Sequence, residues 1–409
     1  MNYPRVLILN CNFNHQEGAG VTVSNLFRNW PLDKIANAAL NLIVDEIKCT
    51  KYYQLNVGEI KNVRINDIDE KIRILDKNRK KNIVTNALVG AKNLLELYGL
   101  YNKINLTQDF LNWIRDFNPD IIYAVSFTTR DIPFLTLLHK KCIAPLVLHV
   151  YDDWVNCNRN GIFDFIVGPI TRSRFSKLYK NAEINFCISD KMSLAYETRY
   201  KKKNHVFHNP VDLKEWSVKK GSNDGVYNIV FIGTIGEHNY KEFKMLFRAL
   251  NKVDYKVSIT LYGSIRKQYI YDDLKTRKDV CIKGLVEYKK VPSILSEADL
   301  LFLPLSFAKN QEKYIRYSMP TKMTEYMATR IPILVFAPEK FALSEFVTRN
   351  NCAHIITIAS EQELMKEITR IIENADNEII GNAISELLKN HTIEVVQTRL
   401  LNILGAIIK

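Results

Sequence analysis

The sequence predicts an α/β protein of two successive domains, each built on a mostly parallel sheet. Three observations predict it. The chain opens with a strand, a glycine pair and a helix start, as residues 5–10 followed by Gly18-Ala19-Gly20. The same order returns at residues 228–232 with Gly233. After each opening, apolar runs of strand length alternate with stretches of helical spacing, and 409 residues suffice for two domains of about 200 each.

The first strand is residues 5–10, and the helix after it is read from Val21. Glycines after a first parallel strand let backbone N–H groups approach a phosphate or sugar, so Gly18 and Gly20 are candidate binding positions. A tight turn explains them equally well. The full GxGxxG is not there, and no acid stands where a dinucleotide ribose needs one. Residues 45–105 carry little pattern. Within them Lys77, Arg79, Lys80 and Lys81 lead into Ile83, Leu88, Val89, Leu94, Leu95 and Leu97 at roughly helical spacing. Such a segment is either a basic amphipathic helix on an anionic membrane or a surface helix packing inward beneath solvated lysines.

From residue 117 the alternation is regular. Strands are read at 121–125, 145–150 and 184–188, the last followed by Ser189-Asp190 and a helix. Ligands of parallel sheets bind beyond the carboxyl ends of the strands. Asp152 and Asp153 sit at such an end. Paired acids can hold a divalent cation, one can cap a helix, or Asp152 can contact an acceptor hydroxyl and polarise it as a base. The last reading is preferred over the metal. His149, alone in an apolar strand, reads as a satisfied core residue.

Pro210, in Phe207-His208-Asn209-Pro210-Val211-Asp212, breaks what precedes it, and Lys219-Lys220-Gly221-Ser222-Asn223-Asp224-Gly225 reads as a linker or surface loop. The domain boundary is put at 210/211. Strands follow at 228–232, 257–262, 280–284 and 300–303, with helices ending near Leu250 and bearing Ile294, Leu295 and Ala298 on one face. Residues 318–336 then read as loop, helix, turn and buried strand. Pro320 and Thr321 start the helix, with Thr321 able to accept from first-turn N–H groups. Met323, Tyr326 and Met327 make one apolar face, Pro332 stops the helix, and residues 333–336 form a strand covered on both faces. Lys322 in the first turn and Glu325 one turn later form either a solvated ion pair or an anion-and-diol site, since the helix N-terminus already favours an anion. The final stretch, 393–408, is an amphipathic helix.

Composition narrows the class. Seven cysteines, odd in number and without metal-ligand spacing, point to a reducing compartment and no structural zinc. No run reaches the ~20 apolar residues that span a bilayer, and the first residues turn polar too soon for a signal peptide. The predicted location is cytoplasmic, with peripheral contact at an anionic membrane face kept open. A net charge of +13 suits an anionic partner, although lysine-rich composition explains it equally. No nucleic-acid-binding pattern is present.

Pro320-x-Lys322-x-x-Glu325-Tyr326-Met327-Ala328, then a turn and Pro332-Ile333, resembles the donor helix of GT-B glycosyltransferases of the family 4 type, as found in bacterial surface-polysaccharide synthesis. The resemblance covers most of the chain and is strongest over 229–353. It implies two Rossmann-like domains facing across a cleft, with 1–210 as acceptor domain, 211–390 as nucleotide-sugar domain and 391–409 as a helix returning to the first. It implies transfer of a sugar from a nucleotide-diphosphate sugar to a glycan or lipid-linked acceptor, with retention, with no cofactor and no essential metal. Glu325 then holds the ribose. Lys241, Lys322 and the helix start at Thr321 take the charge of the leaving diphosphate, and Gly284 and Leu285 read the base. Gly233 lies at the donor, and Gly18 and Gly20 beneath its phosphates. Two positions depart from the family. The second Glu, eight residues before Glu325, is Tyr317 here; the Arg that partners Lys241 is Thr234, in a loop two residues longer. Rival readings are a non-catalytic nucleotide-sugar-binding protein, a nucleotide-sugar 2-epimerase and a basic membrane-surface or nucleic-acid adaptor.

Overall fold

The structure, a computed structural model, describes residues 3–40, 42, 49–56, 104–157, 164–216, 225–374 and 376–408. The basic cluster at 77–81, the helical spacing after it and the polar stretch 219–224 lie outside the described residues. The chain divides into two compact units, one of Met1–Phe207 with Arg399–Lys409 and one of His208–Thr398.

The first unit runs β1 (Val6–Leu9), α1 (Gly18–Leu26), β2 (Ile35–Ala39), β3 (Lys51–Gln54), α2 (Gln108–Phe117), β4 (Ile121–Val125), α3 (Asp131–Lys141), β5 (Leu146–Val150), α4 (Asp164–Asn181), β6 (Ile184–Cys187), α5 (Asp190–Tyr200) and β7 (His205–Val206). The strands form one sheet in the order β3-β2-β1-β4-β5-β6-β7. All neighbours are parallel, with Val6 beside Ile35 on one side and Ile121 on the other. β1, β4 and β5 are buried along their whole length, which is why they read as unbroken apolar runs rather than alternating ones. Ser189 caps α5 by accepting from Met192 N–H, and Thr107 caps α2 from Phe110 N–H.

The second unit runs β8 (Tyr227–Ile232), α6 (Tyr240–Leu250), β9 (Val257–Tyr262), α7 (Gln268–Lys275), β10 (Val280–Gly284), α8 (Val291–Leu295), β11 (Leu300–Pro304), α9 (Lys309–Ile315), α10 (Thr321–Thr329), β12 (Ile333–Phe336), α11 (Ala342–Asn350), β13 (His354–Ile356), α12 (Glu361–Glu373), α13 (Asn377–Asn390) and α14 (Ile393–Ala406). Its sheet has the order β10-β9-β8-β11-β12-β13, again all parallel. α6 buries Phe243, Leu246, Phe247 and Leu250, the i, i+3, i+4, i+7 set of an amphipathic helix. These meet Phe231, Phe302 and Phe336 of the sheet in one core. The two sheets are the predicted α/β class, and both place their order reversal beside the first strand of the unit, at β1/β4 and β8/β11. Open parallel sheets gather ligands at the carboxyl side of that point.

The segment after the first unit pairs with the start of α14: Val211 N–H donates to His391 O at 2.9 Å and Ile393 N–H to Val211 O at 3.1 Å. α14 itself changes unit at Arg399, whose guanidinium donates to Val206 O at 3.0 Å and lies over the Phe207 ring. Among the described residues no helix is long and apolar enough to cross a membrane.

Candidate functional site

α10 is the centre of the site, and its start differs from the sequence reading. Pro320, not Thr321, is the N-cap residue, and no side chain caps the helix. Proline has no N–H and no polar side chain, so Thr321 falls inside the first turn and its hydroxyl does not take the capping position. Met323 N–H donates to Pro320 O at 3.0 Å, which leaves the N–H groups of Thr321 and Lys322 with the capacity to hold an anion.

Lys322 and Glu325 are not a solvated surface pair. Glu325 is 4% exposed, its neighbours Thr324 and Tyr326 are buried as well, and Lys322 is half-buried. The Lys322 side chain lies along Gly233. A Cβ placed on that glycine would fall 2.4 Å from Lys322 Cε and 2.7 Å from Nζ. The ammonium also sits over the Phe231 ring, 5.7 Å from its centroid. Glu325 Oε1 accepts from Tyr288 Oη at 2.9 Å. Burial pushes the Glu325 carboxyl up to about 7, opposed by the Tyr288 hydrogen bond and the Lys322 charge. Burial likewise lowers Lys322, and Glu325 works against that shift. A half-desolvated cation and a buried acid at the mouth of a sheet are groups whose environment suits a ligand rather than water.

α10 is held by its surroundings. Tyr326 Oη accepts from Ile232 N–H at 3.2 Å, tying the helix to the end of β8. Thr324 Oγ1 donates to Asn209 O at 2.8 Å, and Asn209 Nδ2 donates to Thr321 O at 3.4 Å.

The loops after β8 and β9 complete the site. Ile235 N–H donates to Ser264 O at 2.9 Å and Arg266 N–H to Ile235 O at 3.0 Å, so the two loops run side by side. Thr234 Oγ1 meets Ser264 Oγ at 3.1 Å. Asn239 pins the first loop, with Nδ2 donating to Thr234 O and Oδ1 accepting from Gly236 N–H. Gly263 has φ +117°, and a Cβ there would lie 2.1 Å from Gly233 O; only glycine permits that backbone-to-backbone approach. His238 and Arg266 both lean over Gly236: a Cβ on Gly236 would lie 3.0 Å from His238 Nδ1 and 3.6 Å from Arg266 Cδ.

The remaining sequence-predicted residues are placed as follows. Gly284 ends β10, and Leu285 beyond it is 80% exposed. Lys241 is exposed in the first turn of α6. Tyr317 is buried beneath the Arg316 guanidinium, 4.5 Å from its ring centroid. In the first unit Gly18 and Gly20 lie inside the first turn of α1, because the helix begins three residues before Val21. Gly20 is glycine for a local reason: its Cβ would meet the Asn14 side chain at 2.6–2.8 Å, where Asn14 Oδ1 accepts from Gln16 and Glu17 N–H. Asp152 is half-buried after β5. Asp153 is fully buried, accepts from Tyr196 Oη at 2.8 Å and pairs with Arg199 Nη1 at 3.1 Å, so it serves the structure of the first unit. His149 Nδ1 meets Tyr123 Oη at 2.5 Å in the core of the first unit. Burial pushes its pKa down to about 3.

The sequence reading missed Tyr288, His238 and Arg266. Tyr288 carries no local signal, since only the fold brings it to Glu325. Arg266 had one: a cation three residues beyond a strand-ending glycine.

Residues 226–374 match the family described as glycosyl transferases group 1. No curated protein matches the chain. Among solved structures, the chain is similar to HepE from Anabaena with UDP-glucose bound, at TM-score 0.64, 13% identity and coverage of 99% of this chain and 100% of that one. It is similar to a glycosyltransferase from Rickettsia africae, at TM-score 0.64, 13% identity and 100% coverage of both chains. It also resembles the lipopolysaccharide outer core galactosyltransferase WaaB in its apo form, at TM-score 0.57, 13% identity and coverage of 98% and 99%. At these identities the likeness carries the fold.

Proposed function

We propose that this chain, a group 1 glycosyltransferase of GT-B fold, moves a hexose from a nucleotide-diphosphate sugar to a glycan or lipid-linked acceptor, with retention, in cell-surface polysaccharide or glycolipid synthesis. The observation that carries it is the buried Glu325 one turn inside an uncapped helix, with Lys322 folded against Gly233 beside it. Glu325 accepts hydrogen bonds from the ribose diol. Lys322 and the first-turn N–H groups at Thr321 take the charge that develops on the leaving diphosphate, which is where preorganised donors lower a barrier most. The backbone at Gly284 and Leu285 reads the base, Lys241 adds charge at the first turn of α6, and Asp152 in the first domain meets the acceptor hydroxyl. HepE holds UDP-glucose and WaaB is a galactosyltransferase, which favours a UDP-hexose. A lipid-linked acceptor accords with peripheral contact at an anionic membrane. The domain division is 1–210, 211–390 and 391–409, the last returning to the first domain.

A second reading has one observation in its favour. Tyr317, where the family has a sugar-contacting acid, is a buried aromatic, as in a binding protein that has lost turnover. A thermal-shift and hydrolysis screen against UDP-, GDP-, ADP- and dTDP-sugars, with Glu325→Ala alongside, separates the two. A donor that stabilises the wild type and is slowly hydrolysed, both effects lost in Glu325→Ala, is the expected result. Binding without hydrolysis or transfer favours the binding protein. Stabilisation by none of the donors refutes the donor site.

A further inference from the structure

The family's leaving-group clamp has an arginine where this chain has Thr234, and Thr234 is occupied with Ser264. The backbone pairing of Ile235 with Ile265 sets Arg266 beside the Gly233–Gly236 turn. There Arg266 and His238 close over Gly236 while Lys322 closes over Gly233. Arg266 is exposed, and its guanidinium is not paired with a carboxylate among the described residues. The nearby acid Glu237 accepts from Tyr269 Oη at 3.3 Å. Burial and the charges of Arg266 and Lys322 together hold His238 below its ordinary pKa. Two cations and an imidazole drawn from three elements thus crowd one backbone turn, an arrangement whose repulsion a bound polyanion relieves.

Resting on the donor-site reading above, we infer that Arg266, reaching in from the loop after β9, is the second cation of the diphosphate clamp in place of the residue lost at Thr234. A guanidinium suits the task because its planar fork can engage two phosphate oxygens at once. His238 and Lys322 flank the same anion. Arg266 contacts the phosphates and not the base or ribose, which Gly284, Leu285 and Glu325 serve.

The test is calorimetric binding of UDP, GDP, ADP and dTDP, followed for the base that binds by its nucleoside and monophosphate. Wild type, Arg266→Ala, Arg266→Lys and the exposed neighbour Lys267→Ala are compared. Arg266→Ala is expected to weaken the diphosphate about ten- to a hundredfold, the range for a charge-assisted hydrogen bond. It should weaken the monophosphate less and leave the nucleoside unchanged, with Arg266→Lys intermediate and Lys267→Ala like wild type. If the wild type binds a diphosphate and Arg266→Ala binds it equally well, the assignment to Arg266 is wrong and the donor site stands. An equal loss for nucleoside and diphosphate also overturns it. If the wild type binds none of the four diphosphates, the donor site itself fails, and the clamp with it.

Discussion

Replacing Glu325 with glutamine separates the stability of the free protein from its function. The buried carboxyl is pushed up to about 7 from an ordinary 4.5, so the folded state binds its proton more tightly than the unfolded chain does. The sign follows from linkage. The penalty is absent below pH 4.5, grows as pH rises through the window to about 7, and is complete above it. A shift of about 2.5 units corresponds to about 3 kcal/mol when fully developed, of which about 2–3 kcal/mol appears between pH 5 and pH 8. Glutamine has nearly the same shape, can still accept from Tyr288 Oη, and carries no charge to bury. Glu325→Gln should therefore stabilise the free protein relative to wild type, by little at pH 5 and by about 2–3 kcal/mol more at pH 8. For a unit of this size that is a rise in Tm of several degrees. Urea unfolding of both proteins at the two pH values measures it. On the proposed function, the same variant should also lose nucleotide affinity, because an amide replaces the carboxylate assigned to the ribose hydroxyls. A stability difference that does not change between pH 5 and pH 8 would refute the claim that Glu325 is held in a desolvating site.

Two further outcomes rest on the same physical chemistry. Asp153→Asn removes a buried charge from Arg199 and Tyr196 and should destabilise the first unit by about 3 kcal/mol; a change below about 0.5 kcal/mol in denaturant unfolding would show that the pair is idle. Gly233→Ala puts a methyl where Lys322 lies, so its effect on diphosphate affinity should match that of Lys322→Ala, and the double variant should be no worse than either single one; additive losses would mean that the glycine serves something other than the lysine.

Much of the second unit was legible because β11 and β12 are unbroken apolar runs and α6 carries a clean apolar stripe. The α10 unit was the most legible, since proline, lysine, glutamate and an apolar face stand at fixed offsets. What the sequence could not convey was burial: Lys322 and Glu325 look like a surface pair until Tyr288 and Phe231 are brought over them by the sheet. The start of α1 was misread because glycine is a poor helix former, and Asn14, which fills the space at Gly20, lies outside the helix. β2 was not read at all. Its Ile-Ala-Asn-Ala-Ala has neither alternation nor a β-branched run, and Asn37 at its centre is fully buried because Nδ2 donates to Ile8 O and Cys11 O. Arg266 was overlooked for a related reason. Its position depends on pairing between two loops, which no local pattern encodes.

The pairing of Val211 with His391 and Ile393 has an architectural consequence. The second unit is one uninterrupted piece of chain, and its point of entry lies hydrogen-bonded to its point of exit. The first unit is instead closed by residues from both ends of the sequence. The second unit is thus a cassette with adjoining ends, the geometry in which inserted domains are best tolerated. Exchanging residues 208–398 as a block would put one junction at Phe207/His208, close to the paired backbone, and the other inside α14 at Thr398/Arg399, where the helix passes from one unit to the other. On the proposed function, such an exchange transplants donor preference without recutting the acceptor domain.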